Sequence, residues 1–451
     1  MSPSFIHKYN VPGPRYTSYP TVPYWDNDFS PAQYIDSVRD AFRLSDEGIS
    51  IYIHLPFCES MCTFCGCHKR ITKNHQVEAP YINALITEWK LYCSLFESKP
   101  VIRELHLGGG TPTFFAVKNL EDLINGIFSC AQRAENFEMG FEGHPNNTTR
   151  PHLQTLYELG FRRVSFGVQD YSDRVQRAIN RIQPFENVSK VTAWAREIGY
   201  TSISHDLVFG LPFQTTSDVV DTVTKTVSLL PDRISFYSYA HVPWIPGNGQ
   251  RGFSDADIPK DEDKRRLYET GRAIFETHGY REIGMDHFAL TGDPLLEAAE
   301  NQSIHRNFMG YTPNRTRLLI GLGVSSIGDS WTGFGQNAKS LEDYYQMLEW
   351  GQLPLSKGHM LTKEDLIVRQ HILDLMCRMQ THWTDDAFYF TEVPEILASL
   401  SEMLADGLVA ATPGGLIVTP EGKPFLRNIC MAFDLRLRRK RPDTPLFSMT
   451  V

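Results

Sequence analysis

At 451 residues the chain has room for a barrel-sized domain and a smaller one. Its 41% hydrophobic and 22% charged residues match a soluble globular average, and no apolar run approaches the roughly 18 residues of a membrane span. A formal charge of −9 argues against nucleic acid or an anionic membrane as the main partner, and MSPSFIHKYN lacks the apolar core of a signal peptide, so a cytoplasmic location is expected.

The first 48 residues are rich in proline and tyrosine, and KYNVPGPRYTSYPTVPYW is too irregular for a core element. They are expected to form an arm that orders against the rest of the protein or a ligand. From residue 49 to about 290, six β-rich runs recur: SIYIHL, IRELHL, FEMGFEG, RRVSFGVQ, SISHDLVFG and RISFYSYAHV. Between them lie five segments, such as APYINALITEWKLYCSLF and NLEDLINGIF, whose apolar residues fall three and four apart. Such alternation predicts an α/β fold with a parallel sheet and right-handed crossovers. His54, His106, Glu142, Gln169, Asp206 and His241 stand near the C-terminal ends of the runs, where barrels build their active sites. Residues 291–358 are expected to extend the barrel and supply site loops, with HRNFMGYTPN as a loop and LLIGLGVSSIG as one further strand-like run closing on the barrel. Residues 359–451 read as helix, helix and hairpin, a winged-helix-like domain whose acidic second helix favours a covering or scaffolding role over DNA binding. The basic run RLRRKR at 436–441 reads as a solvated or docking arm.

Four of the eight cysteines crowd into FCESMCTFCGC with the spacing C-x3-C-x2-C-x-C. A cytoplasmic protein keeps its thiols reduced, which disfavours a disulfide framework. Cys93 and Cys130 fall in apolar helical patterns and read as buried structural thiols. Structural zinc commonly takes two close pairs separated by a longer stretch, and no second cysteine or histidine knuckle is present. Three thiolates from one loop can instead each take one iron of a cubane, leaving the fourth iron open. Because the loop follows directly on YIHLPFC, such a cluster would sit at the barrel mouth. The spacing, with Phe64 before the third cysteine, resembles the signature of the radical S-adenosylmethionine superfamily, whose fold is a partial (β/α)6 barrel.

The fourth cysteine narrows the resemblance. C-x3-C-x2-C-x-C marks the oxygen-independent coproporphyrinogen III oxidases, and this chain is similar to them in PGPRYTSYPT, LHLGGGTPT, VSFGVQD, HDLVFGLP, YAHVP, GMDHFA, HRNFMGYT and RNICMAFD. FEGHP departs from the resemblance at Gly143 and His144. The resemblance implies a [4Fe-4S] cluster on Cys58, Cys62 and Cys65, with its fourth iron open to S-adenosylmethionine. It implies two S-adenosylmethionine molecules. Tyr52, Gly109, Glu142 and Ile327 match positions around the first; Phe64, Gly110, Thr111, Gln169, Arg181, Asp206 and Ala240 match those around the second. Cys67, Tyr52 and His54 are the candidates for catalytic roles. The reaction implied is oxidative decarboxylation of two propionates of coproporphyrinogen III to vinyl groups, giving protoporphyrinogen IX in haem biosynthesis. An electron donor such as flavodoxin or ferredoxin is implied with it.

A tetracarboxylate with an apolar macrocycle calls for basic side chains around an aromatic pocket, for which Arg15, Lys69, Arg70 and Arg306, walled by Tyr16, Tyr19 and Tyr311, are candidates. The rival readings are a related radical methyltransferase or haem-degrading enzyme, a non-catalytic haem-binding chaperone, and a zinc-dependent DNA-binding protein. No oligomerisation seam stands out, so a monomer is expected.

Overall fold

In the computed structural model, which describes residues 3–25, 28–245, 249–250, 252–384, 391–442 and 444–451, alternation along the first barrel strand sets the architecture. In β1 (Ile49–Leu55), Ile49, Ile51, Ile53 and Leu55 are fully buried in the same apolar cluster as Tyr81, Leu85 and Trp89 of helix α1 (Glu78–Cys93). Ser50, Tyr52 and His54 therefore project to the opposite face, the barrel interior. The same period in β2 (Val101–Gly109) and β3 (Gln132–Gly143) places Leu105, Leu107, Met139 and Phe141 in that outer cluster, so that His106 and Glu142 turn inward.

β4 (Arg163–Gln169), β5 (Ser202–Phe209) and β6 (Arg233–Ser238) continue the sheet, and all six strands run parallel in chain order. Helices α2 (Val117–Ser129), α3 (Arg150–Glu158), α4 (Asp173–Ala178), α5 (Phe185–Ile198) and α6 (Thr216–Ser228) complete the crossovers. Their ends follow local chemistry. Thr149 and His152 close a capping box on α3, and Gly199, at φ +111°, ends α5 in the left-handed conformation that glycine adopts without strain.

The sheet grows from six strands to twelve by additions at both edges, antiparallel except for the one beside β1. His287–Ala289 and Arg281–Ile283 follow β6, while Leu319–Leu322 lies parallel to β1 and leads into Ile327–Asp329, Gly333–Asn337 and Leu355–Met360. Among the described residues the outermost strands do not pair with each other, so the barrel is partial and open. This corrects two expectations. LLIGLGVSSIG, expected as one run, is two strands folded back at Gly323, of which the first extends the sheet edge beside β1. HRNFMGYTPN is a hairpin, His305–Asn307 with Gly310–Thr312, held by a cross-strand pair in which the Arg306 guanidinium lies 4.4 Å from the centre of the Tyr311 ring.

Past the barrel come helix Lys363–Arg378, strand Gln380–His382, two short helices and the hairpin Val409–Thr412 with Gly415–Val418. The second helix of this region, expected as one, is broken at Leu400 into Val393–Ser399 and Ser401–Ala405. The arm packs here: Ile6, Tyr9, Tyr16 and Tyr19 share a core with Ile372, Leu375, Ile429 and Phe433. The basic run is docked as well, with Arg436 2.8 Å from Asp365 and Arg439 paired to Glu364. No helix among the described residues is long and apolar enough to cross a membrane.

One buried acid ties the sheet edge to the barrel. Glu88 of α1 accepts hydrogen bonds from Gly323 N–H (2.8 Å), Asn337 Nδ2 (2.6 Å) and Tyr344 Oη (2.6 Å). Burial nevertheless pushes its carboxyl up to about 7. An acid whose folded pKa exceeds its unfolded value binds a proton more tightly when folded, so its contribution is full below about 4.5 and is lost as pH rises to about 7. Thermal stability from this group is expected to fall across that window, and Glu88→Gln should flatten the decline when melting is followed from pH 4.5 to 7.5.

Candidate active site

The cysteine loop is pinned from both sides of the barrel mouth. Arg70 N–H donates to Pro56 O at 2.8 Å and Thr72 N–H to Cys58 O at 2.9 Å, fastening the base of the loop to the end of β1. Thr63 N–H donates to Ile179 O at 2.9 Å and Asn180 Nδ2 to Met61 O at 2.8 Å, fastening its far side to the segment after α4. Lys69 Nζ donates inward to Cys65 O at 3.2 Å.

Two cavities meet at this loop. A cavity of about 340 Å³ is lined by all four cysteines of the loop with Phe64, Gly109, Gly110, Thr111, Glu142, Gln169, Arg181 and Asp206. A larger one of about 880 Å³ is lined by Tyr52, His54, His106, Phe308, Met309, Ile327 and Lys339 among others. Cys65, Cys67, Lys69, Gly109 and Glu142 belong to both, so the third and fourth cysteines form the wall between them.

Around that wall the inward-facing residues are oriented by one another. Tyr52 Oη lies 3.1 Å from His54 Nδ1, and His54 Nε2 lies 2.9 Å from His68 O. Burial pushes His54 down to about 4, which keeps the ring neutral. Glu142 accepts from Gly109 N–H at 3.3 Å and lies 3.5 Å from His106 Nε2. Gly109 sits at φ +112°, and a Cβ there would come within 2.7 Å of the His54 ring, so only glycine brings the strand end this close. Asp206 accepts from Ser165 Oγ at 2.6 Å, and burial raises its pKa. Arg181 Nη2 donates to Gly167 O at 2.6 Å, with Nη1 3.8 Å from Cys62 Sγ, while its Nε is buried without a partner. Gln169 closes β4 in the left-handed region at φ +69°.

The thiols differ. Cys58, whose Sγ lies 3.3 Å from Thr111 Oγ1, is pushed up to about 11 by burial. Cys65 is drawn down by its hydrogen bond with Cys67, and the same contact raises Cys67. Among the described residues no three His, Cys, Asp or Glu side chains converge as one metal ion requires, yet Cys58, Cys62 and Cys65, with Cys67 beside them, line one cavity. That donor set suits a multi-iron cluster, one thiolate to each iron, and not structural zinc.

Most of the residues expected at the site come together here, and the remaining one is held by a residue with no motif to announce it. Ala240 lies beyond β6, where the buried Gln250 side chain donates from Nε2 to Ala240 O at 3.0 Å and to Phe64 O at 3.4 Å, and its Oε1 accepts from Val242 N–H at 2.7 Å. Gln250 thus clips the cysteine loop to the end of the barrel. The expected carboxylate ligands fare differently. Lys69 lines both cavities, but Arg70 is exposed, and Arg306 and Tyr311 pair with each other. Tyr16 donates to Asp434 at 3.0 Å, and Tyr19 is buried in the core under the arm. Arg15 donates to Ser238 O and borders a separate cavity of about 80 Å³ with Asp286 and Arg427. None of these six lines the cavities at the cysteine loop.

Comparison with known proteins agrees with this geometry. Residues 52–225 match the Radical SAM superfamily. The chain is 38% identical to an oxygen-independent coproporphyrinogen III oxidase of Escherichia coli over 448 residues, covering 97% of this chain and 96% of that one. It is 35% identical to the protein of that name from Synechocystis over 449 residues, 98% of this chain and 96% of the other. The solved structure of the Escherichia coli coproporphyrinogen III oxidase, described as a radical SAM enzyme, superposes with a TM-score of 0.87 at 36% identity over 93% of this chain and 97% of that one. With so much of both chains in register, this protein belongs to the oxygen-independent coproporphyrinogen III oxidase family.

Proposed function

We propose that the protein converts coproporphyrinogen III to protoporphyrinogen IX without oxygen, decarboxylating two propionate side chains to vinyl groups. The observation that carries this reading is the wall shared by the two cavities. Cys65 and Cys67 stand between a pocket lined by thiols and an 880 Å³ chamber with aromatic and aliphatic walls, large enough for a macrocycle.

Cys58, Cys62 and Cys65 would hold a [4Fe-4S] cluster. A cluster held there would supply one-electron reduction of S-adenosylmethionine, the chemistry needed to take a hydrogen atom from a propionate side chain. The residues of the chain bind, orient and shield. Glu142 and Asp206 can accept from ammonium or ribose hydroxyl groups, Arg181 can pair with a carboxylate through its planar fork, and Gly109 and Gly110 let backbone approach the ligand. Tyr52, Gly109, Glu142 and Ile327 would contact one S-adenosylmethionine, and Phe64, Gly110, Thr111, Gln169, Arg181, Asp206 and Ala240 a second. The neutral His54 ring, held by Tyr52 and His68, can accept or donate a proton beside Cys67. A low-potential flavodoxin or ferredoxin would deliver the electrons, and Lys69 supplies positive charge for the substrate's carboxylates.

Gln250→Ala removes the clip between Phe64 and Ala240. KM for S-adenosylmethionine is expected to rise about tenfold, equivalent to about 1.4 kcal/mol, while iron content stays at the parent's level. An unchanged KM would remove Phe64 and Ala240 from the binding surface.

The function is tested anaerobically with reconstituted protein, dithionite, S-adenosylmethionine and coproporphyrinogen III, following products by mass spectrometry. Loss of two carbon dioxide units with matching 5′-deoxyadenosine is expected. A methylated or ring-opened product would assign a rival chemistry, and 5′-deoxyadenosine formed over an untouched porphyrinogen would overturn the substrate.

A further inference from the structure

At the opposite end of the barrel from the cysteine loop lies a cavity of about 410 Å³ that the reaction does not use. It opens where the beginnings of β1 and β2 meet the hairpin at 305–312 and the end of helix Lys363–Arg378. Three guanidinium groups reach it, from Arg103, Arg315 and Arg378, against two carboxylates, Glu47 and Asp374. Only Arg378 is matched, 2.7 Å from Asp374. Arg103 donates to Asn136 O and has no carboxylate partner among the described residues. Arg315 makes no hydrogen bond or ion pair among them; its guanidinium lies over the face of Trp331, 5.4 Å from the ring centre.

The neutral groups on the same walls also lack partners. His305 is buried, tilted against Trp331, and its ring nitrogens make no hydrogen bond among the described residues. Burial, reinforced by Arg369, Arg315 and Arg378, pushes it down to about 3, so it presents one donor and one acceptor. Asn314 is buried with its Nδ2 unsatisfied. Buried donors left without an acceptor are costly, and guanidinium forks match planar or tetrahedral oxyanions.

We infer that this cavity is a binding site for a small oxyanion, the phosphate or carboxylate group of a metabolite, held by Arg103 and Arg315 with His305 and Asn314 beside them. The site is separate from the reaction cavities, although the hairpin that carries His305 at its base carries Phe308 and Met309 at its tip into the larger of them.

Isothermal titration of the reconstituted protein with inorganic phosphate and, separately, with succinate tests the site, since neither probe depends on turnover. Saturable one-to-one binding of at least one anion is expected, weakened tenfold or more in Arg315→Gln and in Arg103→Gln. Arg315 is exposed, so its variant is expected to fold, and an unchanged melting curve in the absence of anion checks this. Binding of phosphate alone identifies a phosphate-bearing ligand, and binding of succinate alone a carboxylate. Absence of saturable binding for both, or binding of parental strength in both variants, would overturn the inference.

Discussion

Serine in place of Cys58, Cys62 or Cys65 is expected to reduce bound iron and sulfide to background and to take 5′-deoxyadenosine formation below detection. All three thiols face the 340 Å³ cavity, and no other cysteine of the chain is near enough to replace one except Cys67. That exception makes the comparison informative. Cys67 lies two residues beyond Cys65, is the exposed member of the four, and stands on the wall facing the larger cavity. Cys67→Ser should therefore keep its iron, its sulfide and its absorption spectrum while losing roughly 10²- to 10⁴-fold in turnover, the range of a positioned acid or base. If Cys67→Ser loses iron as Cys65→Ser does, Cys67 is a ligand or a support of the cluster, and its placement at the substrate wall fails. If it retains full turnover, it is a bystander thiol.

Asp293→Ala is expected to be the most destabilising single change in the barrel, at about 3–5 kcal/mol. Arg233 opens β6 with its side chain almost wholly buried, and both Asp293 oxygens lie 2.7 Å from its Nε. The same carboxylate accepts from Ser202 Oγ at 3.2 Å and caps helix Pro294–Glu300 through Leu295 N–H at 2.8 Å. One residue thus joins the starts of β5 and β6 to the chain leaving the sheet. Removing it strands a guanidinium that already has one unpartnered nitrogen, Nη2. Urea midpoints followed by tryptophan fluorescence would measure the loss. The double replacement Arg233→Met with Asp293→Leu should recover the part of it that comes from the unpaired charge, leaving the cost of the lost helix cap and the Ser202 contact. A single variant as stable as the parent would show that water reaches the pair.

The barrel was legible because its strands are bounded by glycine and proline and its helices keep their period. The inward residues were legible for the same reason: in YIHL the two-residue period that buries Ile53 and Leu55 must turn Tyr52 and His54 to the interior. The hairpin at 305–312 was not, since each strand is three residues long and its main cross-strand contact sets an arginine on a tyrosine, a pair that no hydrophobic pattern reveals. Nor was the division of LLIGLGVSSIG, where the fold-back depends on Gly323 meeting Glu88 from a helix more than two hundred residues away. Two basic residues, one in the arm and one in the hairpin at 305–312, misled for a physical reason. A guanidinium satisfies backbone carbonyls as readily as carboxylates, and Arg15 and Arg306 are used that way, on Ser238 O and Tyr16 O. Gln250 has no signal at all, because a glutamine that accepts one amide proton and serves two carbonyls looks like any other glutamine until the three backbone groups are in place.

The arm's docking has a consequence for biosynthesis. Arg427 donates to Pro14 O at 2.9 Å, across 413 residues of sequence, and Tyr16 reaches Asp434 across 418. A chain emerging from the ribosome at about 5–20 residues per second must then carry residues 12–25 without their final partners for some twenty seconds to over a minute. Tyr16, Tyr19 and Trp25, all destined for burial, are exposed through that interval. Nascent-chain chaperones would meet these aromatics first, and protection of this segment from protease would report that the last helices have arrived.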